Sequence, residues 1–324
     1  MYNYQFDKPL VYAVKHKNDK IRMDSRSGGF FTSISDFILS EDGVIYGCVL
    51  DSDFNAVHIR ATSFKERDRM RGSKYIQSNM GDTFKQVRQD LIAGKKVLFS
   101  GTSCQVAGLI KYIGGNDPNL FCVDIVCHGV PSPKVFHSYL EWQEKKAKSR
   151  CVGFDFRNKK DFGWKAHVET LEFANGERVN SEIFKNIFFS DHCLRPSCYA
   201  CHYKSTIHPG DITIADYWGI DSAAPDFNDN KGVSLVLVNN NNAKKLFERL
   251  TDIEFRECRI EDSMQPALIS PCSAPNDRGQ FWKDFENRKF SFIAAKYGKN
   301  DIIHRSKHTI RRIITSLLSV CGKK

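Results

Sequence analysis

No stretch of about 18 or more apolar residues occurs in this chain, which excludes a transmembrane helix. The opening segment MYNYQFDKPLVYAVKHKND mixes charges with aromatics and lacks the apolar centre of a signal peptide, so a cytoplasmic protein is expected. Internal repeats and low-complexity tracts are absent too, which excludes a repeat array.

Basic charge is also missing from most of the chain. The net charge is +10, yet Arg288–Lys324 holds ten Lys and Arg against the single acid Asp301, so the preceding body is almost neutral. A fold that bound nucleic acid across its body would interleave basic and aromatic residues throughout, and no nucleic-acid partner is expected. In the tail, Ile310, Ile313, Ile314, Leu317 and Leu318 share one helical face, while Lys307, Arg311 and Arg312 take the other. This basic amphipathic helix has two readings: a peripheral contact with the inner membrane face or a partner, or packing onto its own domain.

What is present is enough for a large core. The chain has 324 residues, of which 41% are hydrophobic, and two subdomains are expected besides the tail. After a first strand, PLVYAVKH, the segment SRSGGFFTSISDFILSEDG reads as a glycine turn entering an amphipathic helix with Phe30, Ile34, Phe37 and Ile38 on its apolar face. Strands VIYGCVLD and AVHIRATS follow, then the polar stretch FKERDRMRGSKYIQS.

An α/β passage comes next. Helix GDTFKQVRQDLIAGK, strand KVLFS, loop GTSCQ, helix QVAGLIKYI, strand LFCVDIVC, loop HGVPSPK and helix PKVFHSYLEWQEKKAK alternate as parallel strands with crossover helices do. From Arg150 the pattern turns antiparallel, with RCVGFDFRNK, WKAHVETLEF and ERVNSEIF separated by hairpin signals that include Asn175-Gly176. DITIADYWGI and GVSLVLVNNN are strands, NAKKLFERL a helix and IEFREC a last strand. The fold class is therefore mixed α/β: a parallel α/β passage, then antiparallel strands, a cysteine-rich loop and the basic helix. The expected divisions are 1–100, 101–287 and 288–324.

Cysteine chemistry is the strongest functional signal. Eleven cysteines in a reducing compartment are not expected to form disulfides, and Cys48, Cys122, Cys151 and Cys258 sit in apolar or strand-like settings that read as buried bystanders. Cys193, Cys198 and Cys201 differ, because they fall within nine residues in a C-x4-C-x2-C spacing that one metal or cluster could collect. Three ligands are one short of a closed site. Cys104 and Cys127, each at the carboxyl end of a parallel strand, are the candidates to complete it. Spacing alone leaves iron-sulfur and zinc both open.

Other residues carry weaker signals. Gly28 and Gly29 at a helix entrance favour an anion, or serve an ordinary turn; Lys74, Tyr75 and Ser78 are phosphate or flavin contacts, or a solvated loop. His128, next to Cys127, is a candidate proton donor, or a loop histidine bonded to backbone. Asp216 and Trp218 either line a substrate side or brace their loop.

Taken together, SGGFFTSI, GSKYIQS, LFSGTSCQVAGL, VDIVCHGVPSPKVF, RPSCYAC, DITIADYWGI and GVSLVLVN resemble the coenzyme F-420 hydrogenase/dehydrogenase beta-subunit family, from about Ser25 to Asn240. The resemblance implies a flavin-bearing, iron-sulfur oxidoreductase module with FAD as the usual flavin. It makes Cys193, Cys198 and Cys201 ligands of a [4Fe-4S] cluster with Cys127 or Cys104 as the fourth, and places the flavin near Ser27, Gly28, Gly29, Lys74, Tyr75, Ser78, Gly101, Thr102 and Gln105.

Three departures accompany it. The first cysteine is Cys48, so the ferredoxin-like part of many relatives is not seen; Ser103 stands where the usual Gly-Thr-Pro-Cys-Gln loop has proline; and Ala215 precedes Asp216 where glycine is usual. The expected function is electron transfer between the cluster and an organic acceptor or deazaflavin-like carrier, supplied by a ferredoxin-like or other donor protein. The alternative is a zinc-stabilised scaffold without redox chemistry that docks on a partner or membrane surface.

Overall fold

The structure, a computed structural model, describes residues 5–300. The chain divides into two compact units that interleave along the sequence. One comprises Met1–Val130, Asp155–Ala166 and Arg195–Cys272; the other comprises Pro131–Phe154, His167–Leu194 and Ser273–Lys324. The basic amphipathic helix expected over 310–318 lies outside the described residues. Among the described residues, no helix is long and apolar enough to cross a membrane.

The strands, in chain order, are β1 (Gln5–His16), β2 (Val44–Leu50), β3 (Ala56–Ala61), β4 (Val97–Thr102), β5 (Leu120–Ile125), β6 (Cys151–Asp155), β7 (Glu169–Phe173), β8 (Arg178–Ser181), β9 (Ile212–Asp216), β10 (Ser234–Asn240) and β11 (Ile253–Cys258). The first unit is built on an eight-stranded sheet in the order β11-β1-β10-β9-β5-β4-β2-β3. Strands β2, β4, β5 and β9 run parallel, while β3, β10, β1 and β11 pair antiparallel at the flanks. The expected parallel passage is thus the middle of a mixed sheet.

Alternation along each strand divides the apolar residues between two faces. Val14, Ile45, Leu98, Val123 and Val236 belong to one cluster, covered by Phe30, Ile34 and Ile38 of the helix Phe30–Ser40 and by Phe247 of the helix Asn241–Phe247. Val44, Tyr46, Val97 and Phe99 belong to another, covered by Val87 and Leu91 of the helix Thr83–Ile92 and by Val106, Leu109 and Ile110 of the helix Ser103–Ile113. Strand β10 is buried at every position, as a strand covered on both faces must be. Each such side chain contributes about 1.5–3 kcal/mol on burial, so the sheet is the rigid part of the unit.

The second unit carries the three-stranded sheet β6-β7-β8, with β7 and β8 antiparallel through the Asn175-Gly176 turn. Its core is aromatic: Phe136 meets Phe154 and Phe184 edge-on, each at 5.0 Å. Buried Glu169 accepts hydrogen bonds from the Tyr139 hydroxyl at 3.1 Å and from the Phe184 amide at 2.8 Å. Val135, Ile187, Phe281, Ile293 and Tyr297 form a further buried cluster there.

Candidate metal centre

The parallel strands deliver their carboxyl ends to one edge of the large sheet. Thr102 pairs with Ile125, Ile125 with Ile214, and Asp216 with Ser234, which in turn faces Val14 near the end of β1. Turns following β4, β5 and β9 therefore gather where ligands of open α/β sheets bind.

Four thiols stand along this edge. Cys104 is exposed in the first turn of the helix after β4, its sulfur 3.1 Å from the Thr102 hydroxyl. Cys127 follows β5. Cys198 and Cys201 come from a 3₁₀ turn, Pro196–Ala200 with Cys201 closing it, and the three-residue period of that helix puts both thiols on one side. Pro196 starts the turn where a missing amide costs nothing. The Cys198 sulfur accepts a hydrogen bond from the Val130 amide at 3.5 Å.

These thiols act on one another. Burial, Cys198, Cys104 and Cys201 push the Cys127 thiol up to about 12, against the pull of the Lys204 ammonium. Burial raises Cys198 as well, with Cys104 and Cys201 adding to it, and the Tyr203 phenol rises by burial and the same two thiols. Deprotonating them together calls for a positive centre among them. Yet no three of these thiols lie within 4.8 Å of one another. A tetrahedral zinc with bonds of about 2.3 Å needs sulfurs about 3.8 Å apart. As placed, no three of them are gathered to that spacing, and four cysteines are also the ligand set of an iron-sulfur cluster.

Cys193 has a setting of its own. It belongs to the second unit, buried in the cluster with Val135, Ile187, Phe281, Ile293 and Tyr297. Its thiol contacts the Ile187 carbonyl at 3.7 Å and burial pushes it up to about 12, the setting of a packing cysteine. The C-x4-C-x2-C run read from sequence is divided by the fold, and Cys104 and Cys127 both accompany Cys198 and Cys201. Of the expected bystanders, Cys122 and Cys151 are buried, whereas Cys48 and Cys258 are partly exposed.

The residues named for a flavin all lie along the same sheet edge, but their polar groups are engaged within the protein. The Gln105 side chain accepts from the Thr102 amide at 2.9 Å and donates to the Ser78 hydroxyl at 2.8 Å, while a Cβ on Gly101 would meet Gln105 at 3.0 Å. Ser27 donates to the Val233 carbonyl at 2.6 Å and Gly28 to the Ser234 hydroxyl at 3.0 Å. Gly29, at φ 91°, caps the helix Phe30–Ser40, and a Cβ there would lie 2.9 Å from His16 Cβ. The Lys74 ammonium holds the carbonyls of Met70 at 2.9 Å and Arg71 at 2.8 Å, and burial brings it down to about 8. These groups fit a flavin poorly, because their donors are already bonded to other groups of the protein.

Tyr75 leads into a network that sequence reasoning missed. Arg157 donates to Asp216 at 2.6 Å and to the Tyr75 hydroxyl at 3.3 Å, and the Trp164 indole donates to Asp216 at 2.7 Å. Although burial opposes the charge, Arg157 and Arg26 hold the Asp216 carboxyl below its usual range. Trp218 stacks on Trp164 at 5.3 Å with the Arg157 guanidinium over its ring. Lys159 donates to the carbonyls of Arg22 at 2.6 Å and Ser27 at 3.0 Å, and burial with Arg26 and Arg22 lowers it to about 7. Asp216 and Trp218 thus brace the segment Asp155–Ala166 against the sheet edge.

Beneath the thiols, the buried His208 ring lies 3.0 Å from the Ser103 hydroxyl and 3.1 Å from Asp124, joining residues that precede Cys104 and Cys127. His128, named as a proton donor, offers its carbonyl to Lys204 at 2.9 Å and to the Cys272 thiol at 3.9 Å. Lys204 was also missed: it sits in the polar string CHYKST, which reads as solvated, yet it is buried.

A family model that describes the C terminus of the coenzyme F420 hydrogenase/dehydrogenase beta subunit matches residues 94–262, just over half of the chain. Among solved structures, a chain from the xenon-derivatised F420-reducing [NiFe] hydrogenase complex of Methanosarcina barkeri is similar in fold, with a TM-score of 0.53, 15% identity, and coverage of 77% of this chain and 82% of that one. No curated protein gives a significant match.

Proposed function

Because the chain belongs to the coenzyme F420 hydrogenase/dehydrogenase family through the C-terminal domain of its beta subunit, we propose that it is a redox module in which Cys104, Cys127, Cys198 and Cys201 hold a [4Fe-4S] cluster. Membership supports an oxidoreductase. The cluster rests chiefly on one observation: four thiols on the carboxyl edge of one rigid sheet, near enough to bear on one another's ionisation.

When bound, such a cluster supplies one-electron transfer. The chain's own residues hold and tune it. The 3₁₀ turn presents Cys198 and Cys201 together, the Val130 amide donates to the Cys198 sulfur, and His208 ties the strand ends carrying Cys104 and Cys127. Exposed Cys104 gives the site a solvent side at which an organic acceptor or deazaflavin-like carrier can approach. The electron source proposed is a ferredoxin-like or other donor protein. An FAD on the same edge is proposed from the family resemblance, and no step is assigned to it because the residues first named for it are internally bonded.

Anaerobic purification followed by analysis of iron, acid-labile sulfide and zinc tests the reading. Brown protein with iron and sulfide in equal amounts supports it; colourless protein with stoichiometric zinc refutes it and restores the scaffold alternative.

A further inference from the structure

Lys204 is a buried cation without a carboxylate. The residue is 8% exposed, and its ammonium donates to the carbonyls of Cys127 and, at 2.9 Å, His128. Arg157 and Arg22, also buried at this edge, pair with Asp216 and Asp229, whereas Lys159, like Lys204, is held by backbone carbonyls. No ion pair joins Lys204 to Asp or Glu among the described residues. Carbonyl dipoles solvate an ammonium only in part, and burying an unpaired charge costs several kcal/mol.

The missing counter-charge is next to it. Lys204 follows Cys201 by three residues, and its ammonium is bonded to the carbonyl of Cys127, so its charge lies beside residues assigned to the centre. An iron-sulfur core held by four thiolates is anionic in both oxidation states and gains one further negative charge on reduction. A fixed cation beside two of its ligands therefore stabilises the reduced state more than the oxidised one.

Resting on the cluster assignment above, we infer that Lys204 is a positioning residue with two separable roles: its bonds to the Cys127 and His128 carbonyls fix the Cys127 turn, and its charge raises the reduction potential of the centre. The first role needs a hydrogen-bond donor and the second needs a positive charge.

The test is an anaerobic redox titration of full-length native, Lys204→Gln and Lys204→Arg proteins, followed by the visible absorbance of the centre, with iron determined on each sample. Lys204→Gln retains a donor without the charge and is expected to shift the midpoint to lower potential; Lys204→Arg retains the charge and is expected to stay near the native value. Loss of iron from Lys204→Gln alone also supports the proposal, since the charge is then needed to hold the anionic centre. Equal midpoints in all three proteins, equal shifts in both variants, or loss of iron from both variants would overturn the charge role. Iron-free native protein would defeat the cluster assignment and this inference with it, whereas iron-loaded proteins with unchanged midpoints would defeat this inference alone.

Discussion

Asp216 has to answer for a charge that nothing else neutralises so closely. Its carboxylate accepts from Arg157 and from the Trp164 indole, and Arg157 is almost wholly buried. Asp216→Ala leaves that guanidinium facing a void, and a loss of about 3–5 kcal/mol in unfolding free energy is expected from urea denaturation. A loss under about 1 kcal/mol would show that water reaches Arg157. Lys159 makes a different prediction, because its pKa of about 7 in the fold lies below the ordinary lysine value near 10.4. Between those values the unfolded chain binds the proton that the folded chain has released, so this residue's contribution to stability rises with pH. The stability of native protein minus that of Lys159→Met should therefore climb from pH 7 to 10 by up to about 1.4 kcal/mol per pH unit. A flat difference would mean that the ammonium stays charged in the fold.

At the scale of the element, the turn Ser27–Gly29 shows how one sequence signal supports two physical readings. A glycine pair before a helix permits either an anion at the helix amides or close contact with other backbone, and the residues alone cannot separate these. Here the space is taken. His16 donates to the Gly28 carbonyl at 2.7 Å, and a Cβ on Gly28 would collide with the Val14 carbonyl and lie 2.6 Å from the Ser234 amide. Gly28→Ala should cost about 1–3 kcal/mol or more in thermal or urea unfolding, because backbone on two strands has to shift. A neutral substitution would reopen the turn as a ligand cradle.

The cysteine run carries a similar ambiguity. Cys193 and Cys198 are close in sequence, but the chain passes from one compact unit to the other between Leu194 and Arg195, and no local residue pattern marks that passage. The strand-end placement of Cys104 and Cys127 was legible because strand ends are fixed by apolar periodicity. Lys204 and Lys159 were not, since a buried lysine and a solvated one look alike in a polar string.

For the whole molecule, the strands and helices of the large sheet were readable because each buries a periodic apolar face; the pairing of β1 with β10 and β11 and the interleaving of the units were not, because pairing across more than two hundred residues leaves no local trace. Two units that share one chain in alternation make the location of each ligand a question of tertiary structure. The account stands on a thiol set drawn from one unit. Iron content per chain, measured after anaerobic purification of the five single variants Cys104→Ala, Cys127→Ala, Cys193→Ala, Cys198→Ala and Cys201→Ala, tests it directly. Near-native iron in Cys193→Ala with most iron lost from the other four is the predicted result. Iron lost from Cys193→Ala, or kept in Cys104→Ala or Cys127→Ala, would contradict it.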